Sequence, residues 1–113
     1  MIATVYAVFA SPEEAERIGR EMVEQGLAAC VNILAPCRSI YRWQGRLEQA
    51  EEIPALFKVD AAKASALVDA IAAAHSYDVP AIAVWPVAYT PECYARWITG
   101  NTIPDGKTSL LLD

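Results

Sequence analysis

The sequence predicts an α+β fold, a ferredoxin-like β-α-β-β-α-β sandwich with a long central hairpin and a short C-terminal helix. Strand-like segments rich in β-branched and aromatic residues alternate with two segments of helical periodicity in that order. A Gln-Gly pair at 44–45 joins two alternating segments, which is typical of a hairpin turn. Two βαβ units interleaved in this way place both helices on one face of an antiparallel sheet. Because no linker divides the 113 residues, we expect one domain over 1–113.

The first strand and helix have clear boundaries. Ile2–Phe9 is apolar on both faces, which predicts a central strand covered on both sides. Ser11 is the predicted N-cap of the next helix, with Pro12 at its first position and Glu14 completing a capping box. Gly26 stands where a helix C-cap belongs. The predicted core face of this helix contains Ala15, Ile18, Met22 and Val23.

The central part of the chain predicts a long hairpin. Strand segments 27–34 and 38–43 form its outgoing arm, and 46–58 forms its return arm. Because proline lacks the N–H that a sheet ladder needs, we expect breaks near Pro36 and Pro54.

The remaining elements are a second helix over 61–75 capped by Asp60, and a strand over 79–87. The helix has a core stripe of Ala64, Leu67, Val68 and Ile71. A third helix opens at Thr90-Pro91, ends at Gly100 and is predicted to point Tyr94, Trp97 and Ile98 inward. A short terminal strand over 108–112 is a further expectation.

One face of this sheet would be left uncovered, although its strands are apolar on both sides. The second helix adds few charges, Lys63 and Asp69, before His75. An exposed apolar face on this scale predicts self-assembly.

Charge and composition disfavour several function classes. The chain has 9 basic and 14 acidic residues, a net charge of −5, which opposes binding to a phosphate backbone. Its longest uncharged stretches are 13 residues, short of the roughly 20 that a membrane-spanning helix needs. Three cysteines without zinc-type spacing predict reduced thiols and a cytoplasmic protein.

The candidate chemical residues each have two interpretations. His75 and Cys30 could join a carboxylate in a soft site that suits copper, yet a lone histidine at a helix end and a cysteine in a strand are more often structural. Tyr41, Trp43 and Tyr77 are either packing residues, the stacking wall of a pocket, or a platform for nucleic-acid bases.

The polar residues nearby are equally open. Glu48, Glu51 and Glu52 form an acidic cluster that is either solvated, able to ligate cations, or able to pair with an arginine of a neighbouring subunit. Lys58 follows an apolar stretch, and its amine is either an anion contact or a snorkelling side chain.

Several segments together resemble one family. The two long ones are GLAACVNI at 26–33 and SIYRWQGRLE at 39–48. Shorter ones are Glu51-Glu52 leading to Lys58, HSYDVP at 75–80, and Tyr94 with Trp97-Ile98. In order and spacing they resemble the CutA divalent-cation tolerance proteins, over nearly the whole chain.

The resemblance implies a compact PII-like homotrimer that is not an enzyme and takes a divalent metal ion, with copper the leading candidate, or a small ligand in clefts between subunits. It implies a role in metal response or signalling. The implied cleft residues are Asn32, Tyr41, Trp43, Glu51, Lys58 and Tyr77, with Cys30 and His75 as metal ligands. Three positions depart from the family pattern: Ser76 replaces a common proline, Ala81 a common glutamate, and Asp78 is a shorter acid than the glutamate often found there.

Two other functions remain open. RNA-recognition modules share the β-α-β-β-α-β order, but their basic-Gly-aromatic signature is absent and the charge opposes them. The other open function is a small hydrolase that uses Cys30 as its nucleophile and His75 as its base, although no residue is evidently placed to orient the base.

Overall fold

The computed structural model describes residues 1–103, in which five strands and three helices follow the predicted order. Their bounds are β1 Ile2–Phe9, α1 Pro12–Glu24, β2 Cys30–Ile33, β3 Cys37–Trp43, β4 Arg46–Asp60, α2 Ala64–Ala74, β5 Ile82–Pro86 and α3 Glu92–Gly100. All strand pairs are antiparallel, in the order β2-β4-β1-β5, with β3 pairing on the distal half of β4. The predicted α+β fold is therefore confirmed. The strand expected over 108–112 lies outside the described residues.

Strand β1 is central because both of its edges are paired, with β4 and β5. Its side chains alternate between the two faces of the sheet. Val5, Ala7 and Phe9 are fully buried in the core beneath α1 and α2. The helices contribute Ala15, Ile18, Met22, Ala64, Leu67 and Ile71 to the same core.

Two residues of the predicted core faces, Val23 and Val68, are less buried than expected, and the second helix starts with a different type of turn. Val23 is 37% exposed, because α1 turns it toward the rim rather than onto the sheet. The second helix begins with a 3₁₀ turn, Ala61–Lys63, whose N-cap is the predicted Asp60. Val68 is only partly buried beside the core.

Strand β4 runs without interruption from Arg46 to Asp60, so the predicted break near Pro54 is wrong. The Pro54 carbonyl accepts the Leu34 N–H at 2.9 Å. The N–H and C=O of one strand residue point the same way, so the missing donor would face the junction where β4 changes partner from β3 to β2. Only the return bond to the Leu34 carbonyl is lost, and it lies just past the end of β2. The break near Pro36 is confirmed, since β2 ends at Ile33 and β3 begins at Cys37.

The termini of α1 match their sequence signals, except that the Glu14 side chain accepts the Ala10 N–H rather than the Ser11 N–H that a capping box uses. Ser11 Oγ accepts the Glu14 N–H at 3.1 Å, as an N-cap should. Gly26 follows the helix with φ +73°, a left-handed conformation that glycine adopts without strain. A Cβ at Gly26 would lie 2.7 Å from Ile103, so glycine is needed there for space as well.

The opposite sheet face is only partly covered. Helix α3 buries Ile98 against Ile2 and Ala29. Trp97 and Tyr94, which were predicted to point inward, are 49% and 37% exposed, because one short helix turns a single row of side chains onto the sheet. No helix within residues 1–103 is long and apolar enough to span a membrane.

Candidate functional site

A cleft of about 650 Å³ opens on the sheet face that α1 and α2 do not cover. One wall comes from the hairpin strand β3, and the other from the segment 77–81 that precedes β5. Tyr6 and Val8 form part of its lining, because they alternate with the core residues of β1. The other side chains that define it are Ser39, Tyr41, Trp43, Glu52, Tyr77 and Asp78.

Glu52 and Tyr77 are bonded to each other across the cleft. The Tyr77 hydroxyl donates to Glu52 Oε2 at 2.7 Å. Burial raises the pKa of Tyr77 strongly, and the bonded Glu52 carboxylate raises it further. Tyr77 is therefore a neutral donor at physiological pH. Its hydroxyl holds the Glu52 carboxylate in place, and only 9% of Glu52 is exposed.

His75 positions the Tyr77 segment through its ring. The Tyr77 N–H donates to His75 Nδ1 at 3.1 Å, so the proton of the neutral ring is on Nε2, which donates to the Val8 carbonyl at 2.7 Å. The side chain has no exposed surface and stacks on Phe9, with centroids 5.0 Å apart. Both ring nitrogens are occupied by backbone groups.

Glu14 of α1 also holds the segment of Ser76 and Tyr77 in place. Its Oε2 accepts the Ser76 N–H at 2.8 Å, and its Oε1 accepts the Ser76 hydroxyl at 3.1 Å and the Ala10 N–H at 3.2 Å. Burial alone would raise the pKa of Glu14, but these hydrogen bonds and nearby His75 lower it overall. Ser76, the departure from the family pattern, supplies two donors where proline would supply none.

Cys30, Asn32 and Lys58 lie elsewhere on the sheet. Cys30 pairs with Lys58 across β2 and β4, and the Lys58 amine donates to the Asn32 side-chain carbonyl. Near Cys30, burial and then the thiol itself raise the pKa of the Tyr94 hydroxyl. None of these residues lines the cleft.

The predicted site is thus divided within one chain. Tyr41, Trp43 and Tyr77 come together at the cleft, whereas Glu51 is exposed on β4 and lies opposite Arg38. Sequence reasoning did not select Glu52 or Tyr6 for the cleft. Its position along β4 was the sequence signal for Glu52. Glu52 and Lys58 are an even number of residues apart, so their side chains lie on the same face of the sheet.

Cys30 and His75 do not fit a shared metal ion within one chain. Cys30 belongs to the cross-strand row of Lys58 and Thr4, while His75 bonds to Val8, four residues and about 13 Å farther along β1. Within residues 1–103, no group of three or more His, Cys, Asp and Glu side chains is placed to hold a metal ion. A Cys–His nucleophilic pair is absent for the same reason. Their assignment as metal ligands stays a prediction, and it would require His75 to release its backbone partners.

The fold and the cleft define a class of small ferredoxin-like α+β proteins in which an extended hairpin walls a pocket on the sheet. The family of CutA1 divalent ion tolerance proteins matches residues 3–101. The divalent-cation tolerance protein CutA of Thermus thermophilus is 39% identical over 92 residues, covering 81% of this chain and 89% of the relative. That of Pectobacterium atrosepticum is 37% identical over 87 residues, covering 77% and 79%.

Solved structures agree with this. The Thermus thermophilus CutA1 structure superposes with a TM-score of 0.86 at 37% identity, covering 90% of this chain and 99% of that one. The Archaeoglobus fulgidus structure, described as a periplasmic divalent cation tolerance protein, gives 0.87 at 35% identity, covering 91% and 100%. This chain belongs to the CutA family of divalent-cation tolerance proteins. These names describe cation tolerance rather than a reaction, and cytoplasmic localisation stays a prediction.

Proposed function

We propose that this protein is a non-enzymatic homotrimer that binds a divalent cation, copper first among them, or a small ligand in the cleft, and serves a cytoplasmic metal response or signal. The observation that carries this proposal is the cleft itself, with aromatic walls and the Glu52 carboxylate fixed by Tyr77. Sites of this size that combine apolar walls with a few positioned polar groups are typical of ligand binding.

The uncovered sheet face supports the homotrimer. Trp85 on this face and Trp97 of α3 are 48% and 49% exposed in one chain. The hairpin gives the chain a long axis of 49 Å against a short one of 22 Å, so it projects well beyond the sheet. Light scattering tests the assembly: we expect three times the 12.3 kDa chain mass, and a mass of one chain at micromolar concentration would refute it.

Copper and magnesium titrations followed by calorimetry test the cleft. We expect Glu52→Gln to weaken cation binding, while the control Glu51→Gln, whose side chain lies outside the cleft, binds as the wild type does. Cys30→Ala and His75→Ala test the ligands that the sequence suggests. If these two variants abolish copper binding and Glu52→Gln leaves it unchanged, the cleft is not the cation site.

A further inference from the structure

We propose that the cleft recognises an organic cation, namely a methylated or quaternary ammonium group, between its aromatic rings and the Glu52 carboxylate. This inference rests on the small-ligand part of the proposed function, because it takes the cleft as the binding site and names the class of that ligand. The contacts, charges and burial of the lining residues each favour that class.

The charge of the cleft is one-sided. Glu52 and Asp78 are its ionisable carboxylates, and no Lys, Arg or His side chain of the described part lines it. An anionic ligand would meet only negative charge and would be repelled. A cation would be attracted.

Only one of the two Glu52 carboxylate oxygens has a hydrogen-bond donor among the described residues of the single chain. Nine-tenths of the residue is buried, and Oε2 accepts the Tyr77 hydroxyl, while Oε1 has no donor within residues 1–103. That oxygen keeps an accessible surface, since no buried side-chain oxygen of the described residues is left without a partner. Burying a carboxylate is costly unless it is paired, so a positively charged group entering the cleft gains from this oxygen.

The walls favour a soft, weakly hydrated cation over a small hydrated one. Tyr6, Tyr41, Trp43 and Tyr77 line the cleft, and residues Tyr41 and Trp43 are 41% and 42% exposed. The faces of aromatic rings attract ammonium groups, and aromatic cages recognise methylated ammonium in this way. A compact metal ion prefers several oxygen ligands, and no group of three acidic side chains is placed together in the described residues.

Calorimetric titration of the assembled full-length protein with choline and tetramethylammonium tests the proposal. The neutral control is 3,3-dimethylbutan-1-ol, which has the shape of choline without its charge. We expect saturable choline binding at least about tenfold tighter than that of the neutral isostere. Equal binding of the two, or no saturable binding of choline, would overturn the inference.

Matched variants locate the binding. Trp43→Leu should weaken choline binding about tenfold, whereas Tyr89→Leu, which removes an exposed aromatic side chain outside the cleft, should leave it unchanged. Glu52→Gln should also weaken it while Glu51→Gln does not. Loss of choline binding in the control variants but not in the cleft variants would place the ligand elsewhere and overturn the proposal.

Copper titration of the same samples separates this inference from the proposed function. Copper binding that depends on Glu52, without choline binding, refutes the organic cation alone. Choline binding by a protein that is a single chain and takes no divalent cation supports the organic cation and refutes the trimeric cation-binding function.

Discussion

Glu14 is the buried carboxylate that joins the start of α1 to the segment carrying Tyr77, and Glu14→Gln tests this role. Its two oxygens accept three hydrogen bonds, from the Ala10 N–H and from the Ser76 N–H and hydroxyl. A glutamine has only one acceptor oxygen. In either orientation its amide N–H₂ would face a backbone N–H, of Ser76 or of Ala10, and one donor would be left unpaired.

The expected loss follows from these contacts. A buried donor left without a partner costs about 1–3 kcal/mol. The remaining bonds lose the strength that an ionised acceptor gives, which adds on the order of 1 kcal/mol. We therefore expect Glu14→Gln to lower the free energy of unfolding by about 2–4 kcal/mol at neutral pH.

The pH dependence has a definite sign. Because the pKa of Glu14 is lowered in the folded protein from its ordinary 4.5, its stabilising contribution is fully present above that value. It is lost as the pH falls below 4.5 through the folded pKa. The difference between wild type and Glu14→Gln should therefore shrink in acid.

Urea unfolding at one fixed chain concentration measures this difference, since assembly couples to stability. Glu16→Gln is the matched control: among the described residues Glu16 pairs only with Arg20 at the surface, where both side chains are mostly exposed, so its loss should stay below about 0.5 kcal/mol. A loss below about 1 kcal/mol in Glu14→Gln, or one that does not shrink in acid, would refute the reasoning.

Three further predictions concern a turn, the cleft and the buried ring. Gly26→Ala should lower the unfolding free energy by more than about 2 kcal/mol, and Gly45→Ala should lower it by about 1 kcal/mol. Both glycines have positive φ, but only a Cβ at Gly26 would meet a neighbouring side chain. Equal losses in the two variants would contradict this reasoning. Tyr77→Phe should remove a late-ionising tyrosine from the alkaline absorbance titration and cost about 1.5–3 kcal/mol of stability through loss of the bond to Glu52, and an unchanged titration would show that the bond is absent. In nitrogen NMR spectra at alkaline pH, neutral His75 should carry its proton on Nε2, and an Nδ1-protonated ring would disprove the geometry.

The order of elements and the cap of the first helix were predictable because they depend on neighbours in sequence. Ser11 caps α1 three residues away from the N–H that it binds. The hairpin turn at Gln44 and Gly45 likewise needs only two consecutive positive φ angles, 52° and 79°. Such short-range interactions depend only on the local sequence, so they can be predicted without knowledge of the fold.

The candidate site was only partly predictable, because it joins residues that are distant in the chain. Glu14 meets Ser76 across 62 residues, and Tyr77 meets Glu52 across 25. The sequence identified Tyr41, Trp43 and Tyr77 as candidates, but the parity that places Glu52 rather than Glu51 on their face holds only because β4 continues through Pro54, where the sequence predicted a break.

The sequence by itself determined which segments are strands and helices, and it identified the family. The tertiary structure decided that Pro54 lies inside an unbroken strand and that the two ring nitrogens of His75 are held by backbone groups. Strand register is the physical reason. A shift of one residue moves each side chain to the other face of the sheet, and that register is set by packing over the whole domain rather than by any local pattern.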